Sequence, residues 1–294
     1  MRFLSVFMLI ALDVLISGCS GGIRDEEPLK IDAKHSLAAE APIEAQTFSG
    51  QASYESSLVK RGPKPEAHWL ACSAGKDRPT ALIMHRERIA FDPALFCKSW
   101  IAQTFLHHGF NVITVHRPGY GQSTPPADLI GDASLLAIRA GVDQAVSKNP
   151  EIKKPTGAWG YGFGASVAAL YARKYRDLSW LVLGGGFYDL EATYSTTQDA
   201  SIKSLLETTK KIFGDAALEP RSAAYDLEGY PKHMAIYHGK LDTTAPYEQG
   251  HAFKDSLAAN EIGGTMNSLD GASHDLPADL HHQVLTQLLA SVPK

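Results

Sequence analysis

Residues 156 to 164, TGAWGYGFG, carry an apolar run into three glycines at alternating positions, Gly160, Gly162 and Gly164. An apolar run that stops at glycines and gives way to helix-periodic residues reads as a buried strand entering a tight turn and leaving as a helix. Val167, Leu170 and Tyr171 extend a stripe begun at Phe163, so the helix is expected to pack on the sheet it leaves. The chain around it has to supply that sheet.

From about residue 66 onward it does. HWLAC, TALIMH, NVITVH, SWLVLGG and HMAIYHG are strand candidates, and helix-periodic segments separate them. Alternation of this kind marks a mostly parallel sheet covered by helices on both faces. A helix is expected from Pro93 to His108, with Phe96, Trp100, Ile101 and Phe105 on its apolar side and Gly109 as its stop. Further helices are expected from Asp132 to Asn149, from about Pro246 to Asn260, and at the C-terminus through Leu280, Val284 and Leu288, with GTMNSLDG between the last two. Residues 188 to about 230 interrupt the pattern with a polar, helix-prone insertion, TQDASIKSLLETTKKIF, which reads as a small cap over the strand ends or as a surface helix pair.

The 294 residues are enough for one large α/β domain, and no repeat period runs through them. A net charge of -4 without long basic runs excludes nucleic acid as a partner. The spacing of Cys and His offers no structural zinc site, and the pairs His107-His108 and His281-His282 read as solvated helix residues. The three glycines do not form a dinucleotide loop, because position 165 is Ala where G-x-G-x-x-G needs Gly. No cofactor is expected.

The N-terminus has its own logic. MRFLSVFMLIALDVLISGC joins Arg2 to an apolar stretch ending in small residues, too short and interrupted for a permanent span. Ile16-Ser17-Gly18-Cys19 resembles the lipobox of bacterial lipoproteins, which implies cleavage before Cys19, lipidation of its thiol and attachment to a membrane. The same resemblance ties Ser20 to outer-membrane sorting. Residues 1 to 18 are then a signal peptide and 19 to 65 a lipidated, flexible tether rich in Ala, Glu, Ser, Gln and Gly. The expected site of the protein is the bacterial cell envelope. In that oxidising setting Cys72 and Cys97 either pair or remain as two buried thiols.

Four ordered segments, HRPGYGQS at 116 to 123, the glycine turn at 160 to 164, YHGKLDTTAP at 237 to 246 and GASH at 271 to 274, together resemble the α/β-hydrolase superfamily. The likeness is greatest to its serine esterases and prolyl-oligopeptidase-like peptidases. It covers residues 66 to 292 and implies an α/β-hydrolase fold with a small helical cap. Asp242 then stands where the superfamily carries its catalytic acid and His274 where it carries its base. In such a pair the buried carboxylate fixes the imidazole tautomer and stabilises the imidazolium formed on proton uptake. The nucleophile's place, in the middle of G-x-S-x-G, is filled by Gly162, which has no hydroxyl to be deprotonated.

The same resemblance makes the backbone N–H groups of Phe163 and Arg86 the oxyanion donors. Arg86-Glu87-Arg88 occupies a loop where relatives commonly carry His-Gly and small residues, and its arginines read either as a solvated charged loop or as partners for an anionic ligand. Ser166 and Ser123 read as packing and turn residues before they read as substitute nucleophiles. The expected ligand is a small acyl, ester or peptide-like molecule. Without the nucleophile the chain is expected to bind rather than to acylate; the alternative is hydrolysis by water that His274 activates or by a displaced nucleophile.

Overall fold

The computed structural model describes residues 29, 40–59, 62–86 and 91–294. The leader with Cys19 and Ser20, and Glu87 and Arg88, lie outside the described residues. Among those described, eight strands form one sheet in the order β1-β2-β4-β3-β5-β6-β7-β8. They are β1 (Gln46–Ser53), β2 (Glu66–Ser73), β3 (Thr80–Met84), β4 (Asn111–Val115), β5 (Pro155–Tyr161), β6 (Trp180–Gly184), β7 (His233–Gly239) and β8 (Thr265–Leu269). β2 is antiparallel to both its neighbours, and every pairing from β4 to β8 is parallel.

The central strands β3, β4 and β6 are buried at every position. That is why they read as continuous apolar runs rather than alternating ones. α2 (Asp132–Lys148), α3 (Phe163–Tyr175) and α6 (Tyr247–Ala259) cover one face, where Leu82, Leu181 and Ile236 meet Ile138, Val167 and Phe253. α1 (Trp100–His107) and α7 (Ala278–Leu289) cover the other, packing Phe105 and Leu285 against Ile83, Val112 and Val182. The insertion forms α4 (Leu190–Thr196), α5 (Ala200–Phe213) and two 3-10 turns, Asp215–Ala217 and Glu219–Arg221.

Three expectations are corrected. The stretch expected to be a flexible tether up to residue 65 contains β1, which pairs with β2 along its whole length from Gln46↔Ser73 to Ser53↔Glu66. Its sequence hid this because an edge strand is mostly solvated; only Ala52 within it is fully buried. The helix expected from Pro93 to His108 is instead a 3-10 turn at Phe96–Lys98 followed by α1, with Ser99 in extended conformation between them. Ser99 Oγ accepts from the Ala102 N–H, so a new N-cap is set inside what reads as one apolar stripe. Finally, His281 and His282 are buried, at 3% and 1% exposure, and His107 and His108 are half-buried. Their rings face the sheet and α1 rather than water: His281 bonds Tyr237 and His282 bonds Thr104.

Cys72 and Cys97 are joined as a disulfide, tying β2 to the 3-10 turn ahead of α1.

Candidate active site

The glycine turn sits where β5 ends. A β-carbon on Gly160 would lie 2.1 Å from the Gly164 carbonyl oxygen, and one on Gly164 would lie 2.6 Å from the Met84 carbonyl oxygen. The outer two glycines therefore let α3 start hard against β3 and β5. Gly162, between them, has φ 56 and ψ -128, a backbone state that side chains tolerate only under strain. Its own β-carbon would have room: the nearest atoms are His274 Nε2 at 3.5 Å and Cε1 at 3.7 Å.

Asp242 follows β7, and His274 lies in the loop after β8. The carboxyl ends of neighbouring parallel strands thus deliver both residues to the same edge of the sheet as the turn. His274 Nδ1 is 2.7 Å from Asp242 Oδ2. Asp242 Oδ1 accepts from the N–H groups of Thr244 at 3.0 Å and Ala245 at 2.8 Å. His238, on β7, brings Nε2 to 3.2 Å from the same Oδ2 and to 2.8 Å from the Ala245 carbonyl oxygen. Burial alone would raise the Asp242 carboxyl, but hydrogen bonds from His238 and His274 outweigh it and pull its pKa down to about 2. The carboxylate is therefore charged, and a hydrogen on His274 Nδ1 leaves Nε2 to face position 162 as an acceptor.

Tyr161, the last residue of β5, donates its hydroxyl to the His274 carbonyl oxygen at 2.7 Å and so fixes the histidine loop from below. Burial pushes the Tyr161 hydroxyl well up, which keeps it a donor. Phe187 stacks on Phe163 with ring centres 4.4 Å apart and lies 5.9 Å from the His274 ring. Neither His238, Tyr161 nor Phe187 was singled out by sequence. YHGKLD and GYG contain two of them, but a histidine or tyrosine in an apolar strand has the same signature as ordinary core.

Above the turn opens a cleft of ≈ 200 Å³. Gly162, Phe163 and His274 form its floor, and Arg86 and Asp275 form part of its wall. The Arg86 guanidinium reaches Asp275 Oδ1 at 3.1 Å and lies over the Tyr161 ring at 5.4 Å. Ile202 and Leu205 of α5 line the opposite side, so the insertion borders the cleft as a cap does. Asp199 caps α5 by accepting from Ser201 and Ile202, and Ser201 holds its carboxyl below the usual range.

The other candidate nucleophiles are committed elsewhere. Ser166 Oγ donates to the Phe187 carbonyl oxygen at 2.6 Å. Ser123 Oγ donates to His116 O at 2.7 Å and accepts from His68 N at 2.8 Å. Cys72 and Cys97 have no thiol left. The described residues contain no group of three or more His, Cys, Asp or Glu able to hold a metal.

A sheet with one antiparallel and five parallel steps beyond its first hairpin strand, an elbow after β5, an acid after β7 and a histidine after β8 define the α/β-hydrolase fold. A family model described as alpha/beta hydrolase fold matches residues 92–221. Among solved structures, the chain is similar to the acylaminoacyl peptidase of Pyrococcus horikoshii, at 12% identity over 85% of this chain and 41% of that one, with a TM-score of 0.65. It is also similar to the esterase Pf2001 of Pyrococcus furiosus, at 16% identity over 86% of this chain and 94% of that one, TM-score 0.62. A puromycin-hydrolyzing peptidase of Mycobacterium tuberculosis matches at 16% identity over 85% of this chain and 38% of that one, TM-score 0.65. This chain thus spans well under half of either peptidase and nearly all of the esterase. At these identities the likeness is one of fold. No curated protein matches the sequence.

Proposed function

We propose that this chain is an envelope-anchored protein with an α/β-hydrolase fold that lacks serine nucleophile chemistry and binds an acyl, ester or peptide-like molecule in the cleft above Gly162, or presents that cleft to a protein partner. The supporting observation is the 3.5 Å between His274 Nε2 and the place of a β-carbon on Gly162. A base addresses that position and the position has no hydroxyl. In serine hydrolases, loss of the nucleophile costs about a millionfold in turnover while ligand binding and oxyanion donors persist. The N–H groups of Phe163 and Arg86 are assigned to the carbonyl oxygen of the ligand.

The test is to expose the purified protein to p-nitrophenyl esters and to a fluorophosphonate. Negligible turnover and no labelled residue are expected; a labelled serine whose substitution abolishes turnover would overturn the reading. Anchoring through Cys19 is tested separately by Cys19→Ser, which should move the protein from the membrane fraction to the soluble one.

A second reading rests on the same open space. Water beside Gly162 could give up a proton to His274 Nε2 as it attacks an ester or peptide carbonyl, with Asp242 stabilising the imidazolium. This route forms no acyl-enzyme, so turnover would show no burst and would vanish in His274→Ala.

A further inference from the structure

Under the elbow, between the sheet and the helices α1 and α7, lies a separate cavity of ≈ 180 Å³. Phe91, Trp100, Trp159, Tyr161 and Leu276 make its walls largely apolar, and exposed Ala278 stands at its mouth. Arg86 lines both this cavity and the cleft, while the Tyr161 ring lies between this space and His274. A space of about 150 Å³ with apolar walls is enough to bind a benzene ring, so this one has room for a ring and a few further atoms.

One wall is polar. The His281 ring stacks on Trp100 at 5.0 Å and meets Tyr161 edge-on at 4.5 Å. Its tautomer follows from its partners. Trp159 Nε1 can only donate, and it lies 3.0 Å from Tyr237 Oη. That leaves the Tyr237 hydroxyl hydrogen for His281 Nδ1, also at 3.0 Å. A neutral imidazole that accepts at Nδ1 carries its hydrogen on Nε2. Burial first, then the neighbouring Arg86 and His274, depress the His281 pKa to about 3, so the ring stays neutral. The hydrogen bond that the His281 side chain makes among the described residues is the one at Nδ1, and the residue, 3% exposed, lines the cavity.

The geometry points to a second ligand site: the cavity binds an uncharged aromatic carbonyl compound, its ring among Trp100, Trp159 and Phe91 and its carbonyl oxygen accepting from His281 Nε2–H. A neutral donor offers a carboxylate no compensating charge for the cost of leaving water. Among the described residues that line the cavity, the one Lys or Arg, Arg86, is already engaged by Asp275. A hydrocarbon fits the walls but offers the Nε2–H no acceptor. The site does not depend on whether residue 162 takes part in chemistry.

The test is calorimetric titration of the purified protein with acetophenone, with ethylbenzene as the near-isostere lacking the acceptor, and with benzoate as the anion. Saturable binding of acetophenone is expected at one site, about fivefold tighter than ethylbenzene, with benzoate weaker than both. Ala278→Trp, at the mouth, should abolish acetophenone binding, and His281→Phe should erase the preference over ethylbenzene. No saturable binding, benzoate binding as tightly as acetophenone, or binding indifferent to Ala278→Trp would overturn the assignment. Circular dichroism melts establish that each variant is folded. If His281→Phe does not fold, the Ala278→Trp result and the ligand series decide.

Discussion

At the scale of single residues, the site is a carboxylate with four donors around it and a histidine addressing an empty position. Gly162→Ser supplies the missing hydroxyl. Esterase activity above the background of the parent protein is expected, measured with p-nitrophenyl acetate. The same change places a side chain at φ 56 and should lower stability by about 1–3 kcal/mol in urea unfolding. Asp242 yields a second expectation. Its folded pKa, about 2, is below the ordinary 3.8, so its contribution is present above that ordinary value and is lost as pH falls through about 2. Asp242→Asn should remove on the order of 2 kcal/mol at neutral pH and flatten that acid limb. Gly162, Asp242 and His274 were legible because each has a fixed place after a strand and the order of the three is informative. His238 was not, since its role depends on the side chain of Asp242 folding back toward its own strand.

At the scale of elements, what sequence could reveal follows solvation. Strands buried on both faces and helices with one apolar stripe, α2, α3, α6 and α7, were readable, and the expected ends of α2 and α6 lie within about a residue of those observed. β1 was missed because neither of its faces is consistently apolar, and the break before α1 was missed because Ser99 caps inside an unbroken stripe. The cap was readable only as polar and helix-prone; that Ile202 and Leu205 of α5 turn toward the cleft is a tertiary fact. A chain starting at residue 66 loses β1 and leaves the polar edge of β2 unpaired. Its melting temperature should fall by at least about 5 °C relative to a chain starting at residue 40, followed by circular dichroism.

Across the whole molecule, several imidazoles are buried without charge. Burial depresses His116 to about 4, helped by nearby His68, and His281 to about 3. Protonation at these sites favours the unfolded chain, where the pKa is near 6.5. Stability should therefore hold above about pH 6.5 and decline steadily toward pH 4, each buried ring contributing on the order of 2–3 kcal/mol, as read from urea midpoints across that range. The bond between Cys72 and Cys97 has a different reach, because 25 positions separate its ends. A protease that nicks the backbone between those cysteines generates two polypeptides that still migrate as one species on a gel, and only a reducing agent parts them.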